Sequence, residues 1–300
     1  MLKIAHHAIY AHALPAGHRF PMEKYELLPT QLLYEGTCAA HNFFNPEVAD
    51  DSLIKAVHTQ AYIDDLNNLT LDKKAARKIG FPLSKVLVKR ELIITDGTIK
   101  ASEFALKYGI AMNIAGGTHH AYSNRGEAFC LYNDQAIGAR YIQAHYNIKK
   151  ILIVDLDVHQ GNGTAEIFSH DSDVFTFSMH GAGNYPFKKE QSDLDIALPN
   201  GTDDKTYLNT LKKTLPKLIE DHQPEFIYYL CGVDILETDK LGKLSCTIQG
   251  CAERDRFVLQ TCKDAKIPVM CSMGGGYSPD IKTIINAHAN TFRLAQDLFF

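Results

Sequence analysis

The chain has 300 residues, of which 45% are hydrophobic, enough to bury the core of one large α/β domain or two ordinary ones. Its 31 basic and 35 acidic residues leave a formal charge of -4. There is no basic excess to point to a nucleic-acid partner, and so small an acidic excess argues for nothing beyond solubility.

The N-terminal stretch MLKIAHHAIYAHALPAGHRF lacks the apolar core of a secretory leader. No apolar run reaches the roughly 18 residues of a membrane span. The cysteines are Cys38, Cys130, Cys231, Cys246, Cys251, Cys262 and Cys271. They are odd in number, form no C-x-x-C pair, and several sit in apolar runs. The expectation is reduced, buried thiols in a cytoplasmic protein.

Residues 1–100 read as helices and long loops. The first clear strand is Ile110–Ile114, followed by a helical pattern over Asp134–His145. Strands then fall at Lys150–Asp155 and Val174–Ser178, a helix at Thr206–Glu220, a strand at Glu225–Leu230, a helix at Ile248–Ala265 and a strand at Pro268–Ser272. Near-continuous apolar strands separated by helices argue for a parallel sheet covered on both faces. No linker, repeat or low-complexity stretch interrupts the pattern. The expected architecture is therefore α/β: one domain over residues 1–300, three layers (α/β/α), with a mostly parallel central sheet.

The residues able to do chemistry fall just after the strands: His119 and His120, Asp155 to His159, His180, Asp234, and Gly274 to Tyr277. Ligands of an open parallel sheet bind outside the carboxyl ends of its strands, so these remote segments are expected to meet in one pocket.

In the run Asp155-Leu-Asp157-Val-His159 the polar residues alternate, which puts them on one side of an extended chain. Two carboxylates and an imidazole facing one point repel and desolvate one another unless a cation joins them. Helix capping would explain a lone D-x-D. It does not explain the same run with His159, Asp234 and the His pair added. Asp157, His159 and Asp234 make a three-ligand set with one position left open, as a catalytic zinc site requires. The pair His119-His120 follows Gly116-Gly117 at a strand end and suits proton transfer, whereas His6-His7 reads as structural. Gly274-Gly275-Gly276 forms a turn able to carry Tyr277 towards the metal, where a phenol could donate to an oxyanion.

The segments GGTHHA, GEAFCLYND, DLDVHQGNG, GVDILETDKLG and MGGGY occur in the order seen in histone deacetylases, and the resemblance covers nearly the whole chain. HQGNG and the flank TDGTIKASEFAL resemble class IV, and LPAGHRFPMEKY is similar to bacterial members. The resemblance implies an arginase/deacetylase-like fold and one catalytic Zn2+ on Asp157, His159 and Asp234. It implies His119, His120 and Tyr277 as catalytic groups, with Asp155 orienting His119 and Asn162 facing His120. It also implies a substrate tunnel at Phe129, Tyr185, Leu241 and Gly275. A structural K+ or Na+ is implied near Asp155, Asp157, His159, Ser178 and Met179. The implied substrate is an acetyl or long-chain fatty-acyl lysine of a protein or peptide. A small acylated amine such as an acetylpolyamine is the alternative, with Glu237 and Asp239 available as an acidic rim. An inactive acyl-lysine-binding scaffold is a further alternative, although no ligand or donor is missing. Gly161 and Leu236 stand where a two-manganese, ureohydrolase-like site would need carboxylates. No direct nucleic-acid binding and no membrane span are expected.

Overall fold

The computed structural model describes residues 1–300. Its strands are β1 (Lys3–Ala5), β2 (Phe43–Phe44), β3 (Ile110–Asn113), β4 (Ile151–Asp155), β5 (Val174–Gly181), β6 (Leu194–Leu198), β7 (Phe226–Leu230) and β8 (Val269–Ser272). They form one sheet in the order β2-β1-β3-β8-β7-β4-β5-β6, and every pairing is parallel. A sheet with this many crossovers must put helices on its faces. Those helices are α1 (Lys24–Tyr34), α2 (Asp51–Lys55), α3 (Gln60–Asn68), α4 (Lys73–Ile79), α5 (Lys85–Tyr108), α6 (Asp134–His145), α7 (Asn162–Phe168), α8 (Asp204–His222), α9 (Ile248–Ala265) and α10 (Ile281–Phe299).

The central strands are buried on both faces, and their side chains sort by the two-residue period. Ile151 and Ile153 of β4 pack with Ala101 and Ala105 of α5 and Ala136 and Ala139 of α6. Leu152 and Val154 point the other way, into the large cluster that also holds Leu211 and Leu215 of α8, Val258 and Leu259 of α9 and Phe292 of α10. The result is the expected three-layer α/β/α arrangement. Helix starts carry the side chains that satisfy free backbone N–H groups: Ser84 caps α5, Asn133 α6, Asp203 α8, Thr247 α9 and Asp280 α10. No helix is long and apolar enough to cross a membrane, and all seven cysteines are free and buried.

Several elements escape the sequence reading. β1 and β2 have three and two residues, too few to show a period. β6 is a half-exposed edge strand. α5 runs for 24 residues, buried without a break from Arg90 to Ile99, within a region read only as helices and long loops. β5 continues to Gly181, so His180 lies within the strand and not after it.

For the site, the important consequence is adjacency. β3, β8, β7 and β4 are consecutive neighbours, all running the same way. Segments 115–120, 155–159, 231–234 and 273–277 therefore leave the same edge of the sheet side by side.

Candidate active site and metal centre

Asp157, His159 and Asp234 are all buried, and one ligand atom from each lies within 4.8 Å of the others. His159 Nδ1 stands 3.0 Å from Asp157 Oδ1 and 3.2 Å from Asp234 Oδ2. The backbone fixes the carboxylates: Asp157 accepts from the N–H groups of His159 (3.0 Å) and Gly275 (2.9 Å), and Asp234 from that of Val158 (3.0 Å). Glycine is required beside them. A Cβ on Gly275 would come within 2.0 Å of Asp234 Oδ2, and one on Gly232 within 2.3 Å of Asp157 Oδ2. Gly275 thus abuts the carboxylates.

The electrostatics within this trio fit a cation site. Burial, then repulsion from Asp157, pushes Asp234 up to about 7. Burial opposes charge on His159, but Asp157 and Asp234 outweigh it and lift the imidazole to about 10. Burial also works against ionised Asp157, yet the contacts with His159 and His119 hold it well below the usual carboxylate range. Two buried carboxylates and one imidazole around one point could hold a divalent ion, and nitrogen and oxygen donors in this number suit zinc.

Two imidazoles cover the trio, with rings 4.0 Å apart. His119 Nδ1 meets Asp155 Oδ2 at 2.7 Å, and His120 Nδ1 meets Asn162 Oδ1 at 2.6 Å. The partners differ in charge, and the rings respond. Burial opposes charge on His119, but Asp155 raises its pKa above the ordinary histidine value. Burial, His119 and His159 hold His120 well below it, against the smaller opposing pulls of the Asn162 amide and the Asp157 carboxylate. Burial keeps the Tyr277 hydroxyl protonated, and its ring stands 6.4 Å from that of His159.

Two cavities meet here. The outer one, about 540 Å³, is lined by Phe129, Tyr185 and Leu241 together with His120, His159 and Tyr277. The inner one, about 50 Å³, continues past the trio between Phe20, Phe129 and Gly275. Asp155 and Ser178 are cross-strand partners beside the trio. Ser178 Oγ lies 3.0 Å from His180 Nδ1, within the monovalent-ion group expected with Met179.

Several residues that build the site carry no local signal. Asp134, fully buried, accepts from Thr118 N–H (2.8 Å), Thr118 Oγ1 (2.7 Å) and Thr98 Oγ1 (2.6 Å), anchoring the turn before the His pair. Fully buried Arg254 pairs with Asp255 and donates to the carbonyls of Gly232 (2.6 Å), Leu156 and Cys231 (3.3 Å each), tying together the ends of β4 and β7. Buried Lys24 donates to the Gly274 carbonyl at 3.0 Å. Asp239 accepts from the N–H groups of Leu241 and Gly242 (2.8 Å each) and Tyr277 (2.6 Å). It therefore anchors the Tyr277 turn, and neither it nor Glu237, the acids available for a rim, lines the outer cavity.

The family profile described as "histone deacetylase domain" matches residues 18–292. An uncharacterized protein of Picosynechococcus is 43% identical over 296 residues, covering 99% of each chain. The acetoin utilization protein AcuC of Staphylococcus aureus is 29% identical over 287 residues, covering 87% of this chain and 73% of its own. Among solved structures, an HDAC homologue from Aquifex aeolicus superposes with a TM-score of 0.84 at 25% identity, over 98% of this chain and 84% of that one.

Proposed function

The chain belongs to the histone deacetylase family, and from that premise we propose that it is a zinc-dependent amidohydrolase removing short acyl groups from the ε-amine of lysine. The observation that carries this is a buried Asp157–His159–Asp234 trio beneath paired imidazoles, where a wide outer cavity meets a small inner one. When bound, zinc supplies a Lewis acid that polarises a carbonyl and brings the pKa of water from near 16 towards 7.

The chain's own groups do the rest. His120, kept neutral at physiological pH, takes a proton from the attacking water at the ring nitrogen not bonded to Asn162. Asp155 holds His119 in the tautomer and orientation that let it return a proton to the leaving amine. Tyr277 donates a hydrogen bond to the oxygen that gains charge. Phe129, Tyr185 and Leu241 flank the aliphatic stem of the lysine. Asp155, Asp157, His159, Ser178 and Met179 would hold a K+ or Na+ that offsets the acidity of the loop. The neutral Asn162 beside His120 supports a class IV-like assignment.

Cavity size favours acetyl over long chains. The amine must leave through the open outer cavity, which points the acyl group inwards. About 50 Å³ accepts a few water-sized groups, whereas a fatty chain needs room for roughly ten more methylenes. Parallel turnover of acetyl-lysine and dodecanoyl-lysine peptides by zinc-loaded protein tests this. Faster acetyl removal is expected. Preferred dodecanoyl removal refutes the acyl-size reading, and hydrolysis of neither refutes the enzyme.

A further inference from the structure

Resting on the deacylase reading, we propose that the substrate of this site carries a carboxylate close to its acylated amine. An acyl-amine threaded into the outer cavity presents its next chemical group to the mouth, so the charge there selects among substrates. The mouth is basic. Arg19, Lys78 and Lys243 line the cavity, against a single carboxylate, Glu127. That carboxylate is fully used: it accepts from the Tyr185 hydroxyl, from Arg125 Nε at 3.1 Å and from Lys78 Nζ at 3.2 Å. Burial opposes its charge, but these three contacts keep it ionised.

The ion pairs at the cavity all end on Glu127. This leaves Arg19 and Lys243 as exposed cations without an acidic partner. Arg19 is held in place, with its guanidinium 5.0 Å above the Phe129 ring that flanks the tunnel. Neither acid available for a rim lines the cavity: Asp239 accepts three backbone N–H groups, and Glu237 lies outside the lining.

A polycationic tail or an acylated polyamine brings positive charge to these cations and is repelled. A carboxylate a few bonds from the scissile amide is attracted, both on approach and when bound. Two sources share that chemistry: an acyl-lysine flanked by Asp or Glu, and a small acylated ω-amino acid.

The experiment compares kcat/KM for acetyl-lysine peptides with acidic and with basic flanks, and for 6-acetamidohexanoate and N-acetylputrescine, all with zinc-loaded protein. At low salt each anionic substrate that is turned over is expected to exceed its cationic counterpart on the order of tenfold. The gap should shrink in about 1 M salt, where screening acts within about 3 Å. Preference within the peptide pair assigns the carboxylate to a flanking residue, and preference within the small-molecule pair to an acylated amino acid. Arg19→Glu with Lys243→Glu should reverse the preference. Both side chains are exposed, and salt dependence in the unaltered protein is an independent reading should the variant fold poorly. Equal rates within each pair, faster cationic substrates, or an unchanged ratio in the charge-reversed protein would overturn the proposal. Hydrolysis of none of the four overturns the deacylase reading beneath it.

Discussion

Replacing Asn162 by aspartate separates a catalytic reading of the His pair from a structural one. The two imidazoles meet their partners at nearly the same distance, 2.7 Å for His119–Asp155 and 2.6 Å for His120–Asn162. Only the first partner is charged, and only the first ring is raised above the ordinary histidine value. In Asn162→Asp the new carboxylate and the imidazolium of His120 would have charge centres about 4 Å apart. At an effective dielectric of 20 that attraction is about 4 kcal/mol, equivalent to about 3 pKa units. Burying the new charge takes part of this back, and a net rise of about 1–2 units is expected. A general base works only when neutral, so activity disappears as pH falls through its pKa. Raising that pKa moves the acidic limb of kcat/KM upwards by the same 1–2 units and leaves the plateau at higher pH. A bound zinc ion lowers the imidazole pKa in parent and variant alike, so the difference survives metal loading. The assay is a pH–rate profile on an acetyl-lysine peptide from about pH 5 to 9. A limb that stays in place would show that His120 is not the base, whatever the plateau does.

Three further outcomes follow from the same geometry. Tyr277→Phe keeps the ring but removes the hydroxyl, and kcat should fall by about 10²–10³ with zinc content unchanged; wild-type turnover would exclude the phenol as oxyanion donor. Chelation should abolish turnover and lower Tm, because the Asp157–His159–Asp234 trio loses a cation worth on the order of 3–4 kcal/mol at saturating metal. Zinc should restore both, and metal analysis should find one catalytic ion per chain, whereas two transition-metal ions would support the binuclear alternative. Arg254→Leu strips the partner from buried Asp255 and from three carbonyls at the ends of β4 and β7. A cost of about 3–5 kcal/mol is expected, or a Tm drop on the order of 10 °C, and a thermal scan within about 2 °C of the parent would contradict that role.

What the sequence discloses and what it hides divide along a physical line. The strands β3, β4, β5, β7 and β8 are legible because both of their faces are buried, so apolar runs mark them directly. The metal trio is partly legible because Asp155, Asp157 and His159 alternate within one segment, and alternation is a local property. Asp134, Asp239, Arg254 and Lys24 are not legible. Each acts on backbone far away in sequence: Asp239 on Tyr277, Arg254 on Leu156, and Lys24 on Gly274, a separation of 250 residues. Helical spacing does put Arg254 on the buried stripe of Cys251, Val258 and Cys262, away from the exposed Arg256, but the carbonyls that it reaches lie far outside the local pattern.

Asp239 shows how this hidden layer alters a conclusion about substrate. In sequence it is an acid near the substrate-binding segment, available to receive a polyamine cation. In the fold its carboxylate accepts three backbone N–H groups and aims the Tyr277 turn, so its charge is directed inwards. The mouth then keeps Arg19 and Lys243 as its unpaired charges, Lys78 being paired with Glu127. On the proposed charge preference, substrate selection depends on which carboxylates are spent on holding the site together. That is a property of long-range hydrogen bonding, to which the count of 31 basic against 35 acidic residues gives no access.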